Sequence, residues 1–341
     1  MRVSAQQLTL HLANPFTLAY GTSTARHNVL VRVEHAGAVG LGEAAIVPYY
    51  GHTPQQIIAA LDGLHLTGDP LLLEDALDAP PPDLPAVARA ALDMALHDLW
   101  GKRLGQPLYR LWGLNPVRAP RSSFTVVMAA DEPSYRAQLR AAAAHYPLLK
   151  LKLGAGDPQA DLRLVQMARE EVRAELCVDA NGAWSAAEAA AVIPRLAELG
   201  VLFVEQPLAR DDLDGWRALR AALPGERPSL IADESVQGVE SLFPLAELVD
   251  GVNIKLAKCG GLRAARQMIA VARALGLRVL LGCMVESAVA VTAAAHLAPL
   301  ADYADLDGNA LVTDDPFAGV ELRAGRLHLP AGDGLGVGER G

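Results

Sequence analysis

Of the 30 basic residues, five are lysines, and four of those fall in two short apolar segments: Lys150 and Lys152 in YPLLKLKLGAG, Lys255 and Lys258 in NIKLAKCGG. Arginine serves the surface of this chain. An amine kept in apolar surroundings can lose its proton, which a guanidinium does not do in a protein. Carboxylates recur behind apolar runs in the same two thirds of the sequence: Asp179, Glu205, Asp233 with Glu234, Glu286, and Asp305 with Asp307. Three such groups converging, with room for waters, suit a hard cation such as Mg²⁺ better than zinc. Two amines facing each other across a carbon can remove a proton from one face and return one to the other. The chemistry this predicts is proton transfer at a carbon next to a carboxylate. Mg²⁺ and Lys150 would carry the charge that develops when the proton leaves.

The elements that must position these residues are legible from about Ser122 onward, where short β-rich runs alternate with alanine-rich amphipathic runs. Eight strands follow in order: SSFTVVM, LLKLKLG, AELCVDAN, VLFVEQP, SLIADES, GVNIKLAK, LRVLLGCMVES and YADLDG. The helices between them open on Asp or Ser caps, as in DPQADLRLVQMAREEV and SAAEAAAVIPRLAELG. Eight βα repeats predict a parallel barrel, whose chemistry sits at the carboxyl ends of the strands. Period-two geometry puts Lys150 and Lys152 on the inner side, with Leu149, Leu151 and Leu153 facing the helices. Asp179, Glu205 and Asp233 end strands three, four and five, between Lys152 on strand two and Lys255 on strand six. The two lysines therefore approach a metal-bound substrate from opposite sides. Lys258, at an odd offset from Lys255, reads as pointing elsewhere or into the following loop.

The first third is a separate α+β unit: strands joined by glycine turns, then the helical AVARAALDMALHDLWGKRLGQPLYRLWG. The division read from the sequence is a capping domain at 1–118, joined by a C-terminal return at 318–341, and a barrel at 119–317. Loops at Tyr20 to Thr24 and Val47 to His52 are placed to cover the barrel mouth. A net charge of −9 argues against nucleic acid or an anionic membrane surface as partner, and favours small molecules. Three cysteines at wide spacing suit reduced thiols. MRVSAQQLTLHL has no long apolar core, and the longest apolar helix, Ser287 to Ala301, is too short to span a bilayer. The expectation is a cytoplasmic protein.

At these residues the sequence resembles the enolase superfamily, in its muconate-lactonizing-enzyme-like subgroup. The matching motifs are KLKLG at Lys150 to Gly154, VDANGAW at Val178 to Trp184, VEQP at Val204 to Pro207, ADES at Ala232 to Ser235 and NIKLAKCGG at Asn253 to Gly261. AALDMALHDLWGKRLGQPLYRLWG resembles the helical part of the family's capping domain, so the similarity covers nearly the whole chain. The resemblance implies a (β/α)₇β modified TIM barrel with an N-terminal α+β cap. It implies Mg²⁺ on Asp179, Glu205 and Asp233, acid/base roles for Lys152 and Lys255, and an electrostatic role for Lys150; a lysine base with Mg²⁺ is already known for enolase-superfamily sites.

DLDG at Asp305 to Gly308 resembles the Asp-x-Asp of dipeptide epimerases, where both aspartates hold the substrate's α-ammonium group, and GCMVES, which carries Glu286, resembles their seventh strand. The implied activity is inversion of the α-carbon in the C-terminal residue of an L-Ala-L-Xaa type dipeptide. Relatives specific for Ala-Glu resemble PFxxALRT in the first loop, with an arginine for the glutamate side chain; PFTLAYGT has Gly21 there. The reading is therefore a hydrophobic or mixed second residue, with Arg26 still within reach of the site. Homo-oligomeric assembly is implied by the resemblance alone. An o-succinylbenzoate synthase, an N-succinylamino acid racemase or a muconate cycloisomerase would use the same metal and lysines, because one site supports several reactions. The Asp pair discriminates, since those substrates have no ammonium to bind. A non-catalytic ligand binder is the alternative of another class, and the filled metal and lysine positions argue against it.

Overall fold

The structure is a computed structural model that describes residues 1–18, 21–154 and 156–340. The chain opens with three antiparallel strands, β1 (Arg2–Leu18), β2 (Gly21–His35) and β3 (Ala38–Ala44), in that order in the sheet. Val29, Val31 and Val33 of β2 turn one face onto the Ala86–Leu104 helix, whose Val87, Ala88, Ala91, Leu92, Ala95 and Leu99 close a second apolar core. This helix ends at Gly105, in the left-handed conformation that glycine adopts without strain.

Eight parallel strands then form a second sheet: β4 (Phe124–Val126), β5 (Leu148–Lys152), β6 (Glu175–Asp179), β7 (Val201–Glu205), β8 (Ser229–Ala232), β9 (Gly251–Lys255), β10 (Arg278–Gly282) and β11 (Tyr303–Asp305). Each pairs with the next in sequence, and a parallel bridge between Ser122 and Ala304 joins the two ends, so the sheet closes into a barrel. All eight strands read from the sequence are present. The predicted caps are too: Asp157 caps the Pro158–Glu171 helix, and Ser185 forms a capping box with Glu188 at the start of Ala186–Glu198. The crossover from β8 to β9 departs from the pattern. It contains a short helical turn, Leu242–Leu245, instead of a full helix.

Period two sorts the barrel as expected. Leu149, Leu151 and Leu153 join the large core under the helices, while Leu148, Cys177, Phe203, Ile231 and Leu280 plug the inside at its lower end. Above that plug the inward positions turn polar. The residues after β11 form two small hairpin-like pairings, Phe317–Ala318 with Gly338–Glu339 and Glu321–Arg323 with Arg326–His328. They reach the first third of the chain: Asp98 accepts from Leu335 N at 2.8 Å, and Arg32 donates to Glu339 at 3.1 Å. No helix among the described residues is long and apolar enough to cross a membrane.

Candidate active site at the barrel mouth

Asp179, Glu205 and Asp233 stand at the carboxyl ends of β6, β7 and just past β8, fully or almost fully buried, with one carboxylate oxygen from each within 4.8 Å of the others. Four lysine ammonium groups surround them. Lys152 Nζ donates to Asp179 Oδ2 at 2.6 Å from one side of the triad, and Lys255 Nζ to Asp233 Oδ2 at 2.8 Å from the other. Lys150, with no exposed surface, lies 2.7 Å from Glu205 Oε2 and 3.4 Å from Asp179 Oδ2, and donates to Asp305 Oδ2 at 2.8 Å.

Electrostatics divide the three carboxylates. Burial opposes ionisation of Asp233, but Lys255, Lys258 and Lys150 outweigh it and hold the group far below the ordinary carboxylate range. Asp179 is likewise lowered, its burial outweighed by Lys152 and Lys150. Glu205 is not rescued. Burial, helped by the neighbouring Asp179 and Asp233 anions, pushes it up to about 8, and its Oε2 accepts no hydrogen bond although Lys150 is within ion-pair distance. A buried carboxylate in this position is short of positive charge. An oxygen-only donor set of three carboxylates, one of them under-compensated, fits a hard divalent cation such as Mg²⁺.

Asp305 and Asp307 are buried on the other flank. Asp305 accepts from Ser123 Oγ at 2.5 Å as well as from Lys150, and Asp307 accepts from Thr125 N at 2.6 Å. Burial and the adjacent Asp305 charge raise Asp307 to about 7. Lys152, Lys255, Asp233, Asp305 and Asp307 all line one open cleft, enclosing about 670 Å³ with its mouth, and Arg26, Tyr49 and Tyr50 line it from the first third of the chain. The Val47 to His52 loop thus covers the mouth as read from the sequence. Of the first loop, Gly21 opens β2, and the tip at Tyr20 lies outside the described residues. Glu286, expected at the substrate site, is buried and is not among the residues that line this cleft; burial and the nearby Glu43 raise it to about 8.

Two supporting residues are missed by sequence reasoning. Lys258 does not point away: its Nζ donates to Asp233 Oδ1 at 2.5 Å, to the Asp233 carbonyl, and to the Asn253 carbonyl at 3.2 Å. Period two fails here because the chain turns helical at Leu256–Cys259 directly after β9, and a helix returns a side chain to the same side after three or four residues. Asn253 donates to Glu205 Oε1 at 2.8 Å and so aims that carboxylate. Gly282 makes room for it, since a Cβ there would stand 2.5 Å from Asn253 Oδ1. The signal for Asn253 was its place on the inner face of β9, two residues before Lys255.

Comparison with known proteins agrees with this geometry. Residues 2–113 match the mandelate racemase/muconate lactonizing enzyme N-terminal domain, and residues 134–338 the enolase C-terminal domain-like family. The chain belongs to this family. An L-Ala-D/L-Glu epimerase of Bacteroides thetaiotaomicron is 38% identical, with 99% of this chain and 88% of the relative aligned. The substrate-liganded L-Ala-D/L-Glu epimerase of Bacillus subtilis superposes with a TM-score of 0.88 at 30% identity, covering 99% of this chain and 98% of that one. The dipeptide epimerase of Enterococcus faecalis complexed with Mg and L-Leu-L-Tyr gives 0.86 at 30% identity, with 98% of each chain covered. The barrel and sheet seen here are those of this enolase-like family, and the chain spans nearly the full length of these relatives.

Proposed function

We propose that the protein is a dipeptide epimerase that inverts the α-carbon of the C-terminal residue of an L-Ala-L-Xaa type dipeptide, moving the α-proton between Lys152 and Lys255. The observation that carries this reading is one cleft lined by Lys152, Lys255 and Asp233 together with the Asp305 and Asp307 pair, with carboxylate oxygens of Asp179 and Glu205 within 4.8 Å of one from Asp233. A dipeptide offers the matching groups, a carboxylate at one end and an ammonium at the other. The names of the Bacteroides, Bacillus and Enterococcus relatives support it.

In this reading Asp179, Glu205 and Asp233 hold Mg²⁺, which supplies Lewis-acid neutralisation of the substrate carboxylate. Asp305 and Asp307 take the α-ammonium, and that cation relieves the repulsion between them. With the dipeptide held at both ends in this way, the α-carbon of the second residue would lie between Lys152 and Lys255, which line the cleft together. One of the two lysines, in its neutral form, removes the α-proton; the other, protonated, returns one to the opposite face. Lys150, fixed by Glu205 and Asp305, would add positive charge behind the triad to offset the negative charge that grows as the proton leaves. The second-residue side chain is hydrophobic or mixed, since Gly21 stands where Ala-Glu enzymes of the family carry an arginine.

The test is incubation with Mg²⁺ in D₂O against pools of L-Ala-L-Xaa dipeptides, reading mass gain at the α-carbon. Deuterium should enter some dipeptides and be lost in Lys152→Ala and Lys255→Ala. Exchange in N-succinylamino acids with none in any dipeptide would overturn the reading and assign the site to a racemase of acylated substrates.

A further inference from the structure

Behind the cleft, where β3 meets the start of the Ala288–Leu297 helix, lies a closed network of buried polar groups that the proposed chemistry does not use. Glu43 on β3 has no exposed surface, Ser287 none, and Asn28 on β2 only 1%. Asn28 donates to Glu43 Oε1 at 2.8 Å. Ser287 donates through its backbone N to both Glu43 oxygens at 3.1 Å and through Oγ to Oε2 at 2.5 Å. Asn28 also donates to the Val285 carbonyl at 3.1 Å and accepts from Ile46 N at 3.0 Å. Every polar side-chain atom of the three residues is partnered.

Burial pushes Glu43 up, with Asp315 adding to the effect and Ser287 and Asn28 opposing it. An apolar residue at this position would leave the buried Ser287 N–H without an acceptor and take one from Ser287 Oγ and Asn28 Nδ2. What a carboxylate with several directed donors supplies, and an apolar contact does not, is fixed geometry. The groups it fixes belong to three walls of one cleft. Arg26 precedes Asn28 by two residues and so shares its face of β2. Val47, Tyr49 and Tyr50 follow Ile46 directly, and Met284 and Val285 precede Ser287; all six line the cleft. Glu43 also caps the Ala288–Leu297 helix from another part of the chain, where a negative charge at the helix N-terminus is favourable.

We propose that Glu43 is a positioning residue of the site, holding the Ala45–Tyr50 loop and the 284–287 segment that follows β10 at the spacing that admits substrate. This rests on the epimerase reading for its kinetic arm and on the structure alone for its exchange arm. The experiment uses the full chain with Mg²⁺ and two variants, Glu43→Leu and Glu43→Gln. For a dipeptide identified in the pools, Glu43→Leu should lower kcat/KM at least tenfold, chiefly through KM, with Mg²⁺ affinity within twofold of the parent. Glu43→Gln, which keeps one acceptor oxygen, should recover part of that loss. Backbone hydrogen exchange should quicken in residues 45–50 and 283–287 together and not elsewhere in the barrel. Values of kcat/KM within twofold of the parent, with exchange unchanged in both segments or quickened uniformly, would overturn the proposal and leave a structural clamp only. If the parent protein acts on no dipeptide, the epimerase reading fails by itself and the exchange pattern alone decides. Should the leucine variant not fold, the glutamine variant carries both arms.

Discussion

At the scale of single residues, the site is a set of charges whose protonation is set by their neighbours. Asp307 is the clearest case. Burial and Asp305 raise it to about 7, so in the ligand-free protein it gains a proton as pH falls through that value. An α-ammonium binds the ionised form, and binding should weaken about tenfold per unit below pH 7. The expected outcome is an acidic limb in kcat/KM for a dipeptide that is absent in Asp307→Asn, whose activity is low and flat across the same range. A limb that survives the substitution would place the titration elsewhere. Asn253 gives a second prediction. It aims Glu205, and losing a residue that orients a metal ligand costs roughly 10–100-fold in metal affinity. Asn253→Ala should therefore raise the Mg²⁺ dissociation constant by that factor, measured by calorimetric titration, while Asn253→Asp, which offers Glu205 no donor, should be no better.

At the scale of elements, the first third of the chain is fastened to the barrel by carboxylates seated on helix N-termini. Besides Glu43, Asp93 on the Ala86–Leu104 helix accepts from Leu262 N at 2.5 Å and Arg263 N at 3.3 Å, the first residues of the Leu262–Ala274 helix. Gly261, at φ +114°, exists for this contact, because a Cβ there would lie 2.4 Å from Asp93 Cγ. Removing a cap of this kind costs about 0.5–2 kcal/mol. Asp93→Ala should lower unfolding stability by that amount in denaturant titration, and Gly261→Ala by more, since it adds backbone strain and a clash. An Asp93→Ala protein as stable as the parent would mean that water replaces the cap. These contacts also explain what could be read from the sequence. The eight strands, their inner faces and the order of Lys152, the triad and Lys255 were legible because alternation and βα spacing are local. Lys258 was not, because a helical turn broke the strand period. Glu43, Asn28 and Asp93 were not, because the partners described above lie from 15 to 257 residues away and no local pattern marks them.

For the whole molecule, the raised acids and the metal site make stability depend on pH and on Mg²⁺ jointly. Glu205 and Glu286 are each pushed up to about 8, the first by burial and the Asp179 and Asp233 charges, the second by burial and Glu43. The unfolded chain releases these protons near pH 4.5, and the folded protein keeps them until about 8, so between those values the folded state binds more protons. Stability without metal must then fall as pH rises through this window, and level off above it. Asp233 acts the other way, but its stabilising contribution is fully present above about pH 4 and is lost only below it, outside this window. Mg²⁺ on the triad requires Glu205 ionised and so competes with its proton, which makes metal binding tighter as pH rises. Melting temperatures recorded from pH 5.5 to 8.5 should therefore fall with pH in EDTA, while the increment given by a fixed Mg²⁺ concentration grows. An increment independent of pH across this range would show that no proton leaves Glu205 on metal binding, so that its carboxylate is already ionised without the metal.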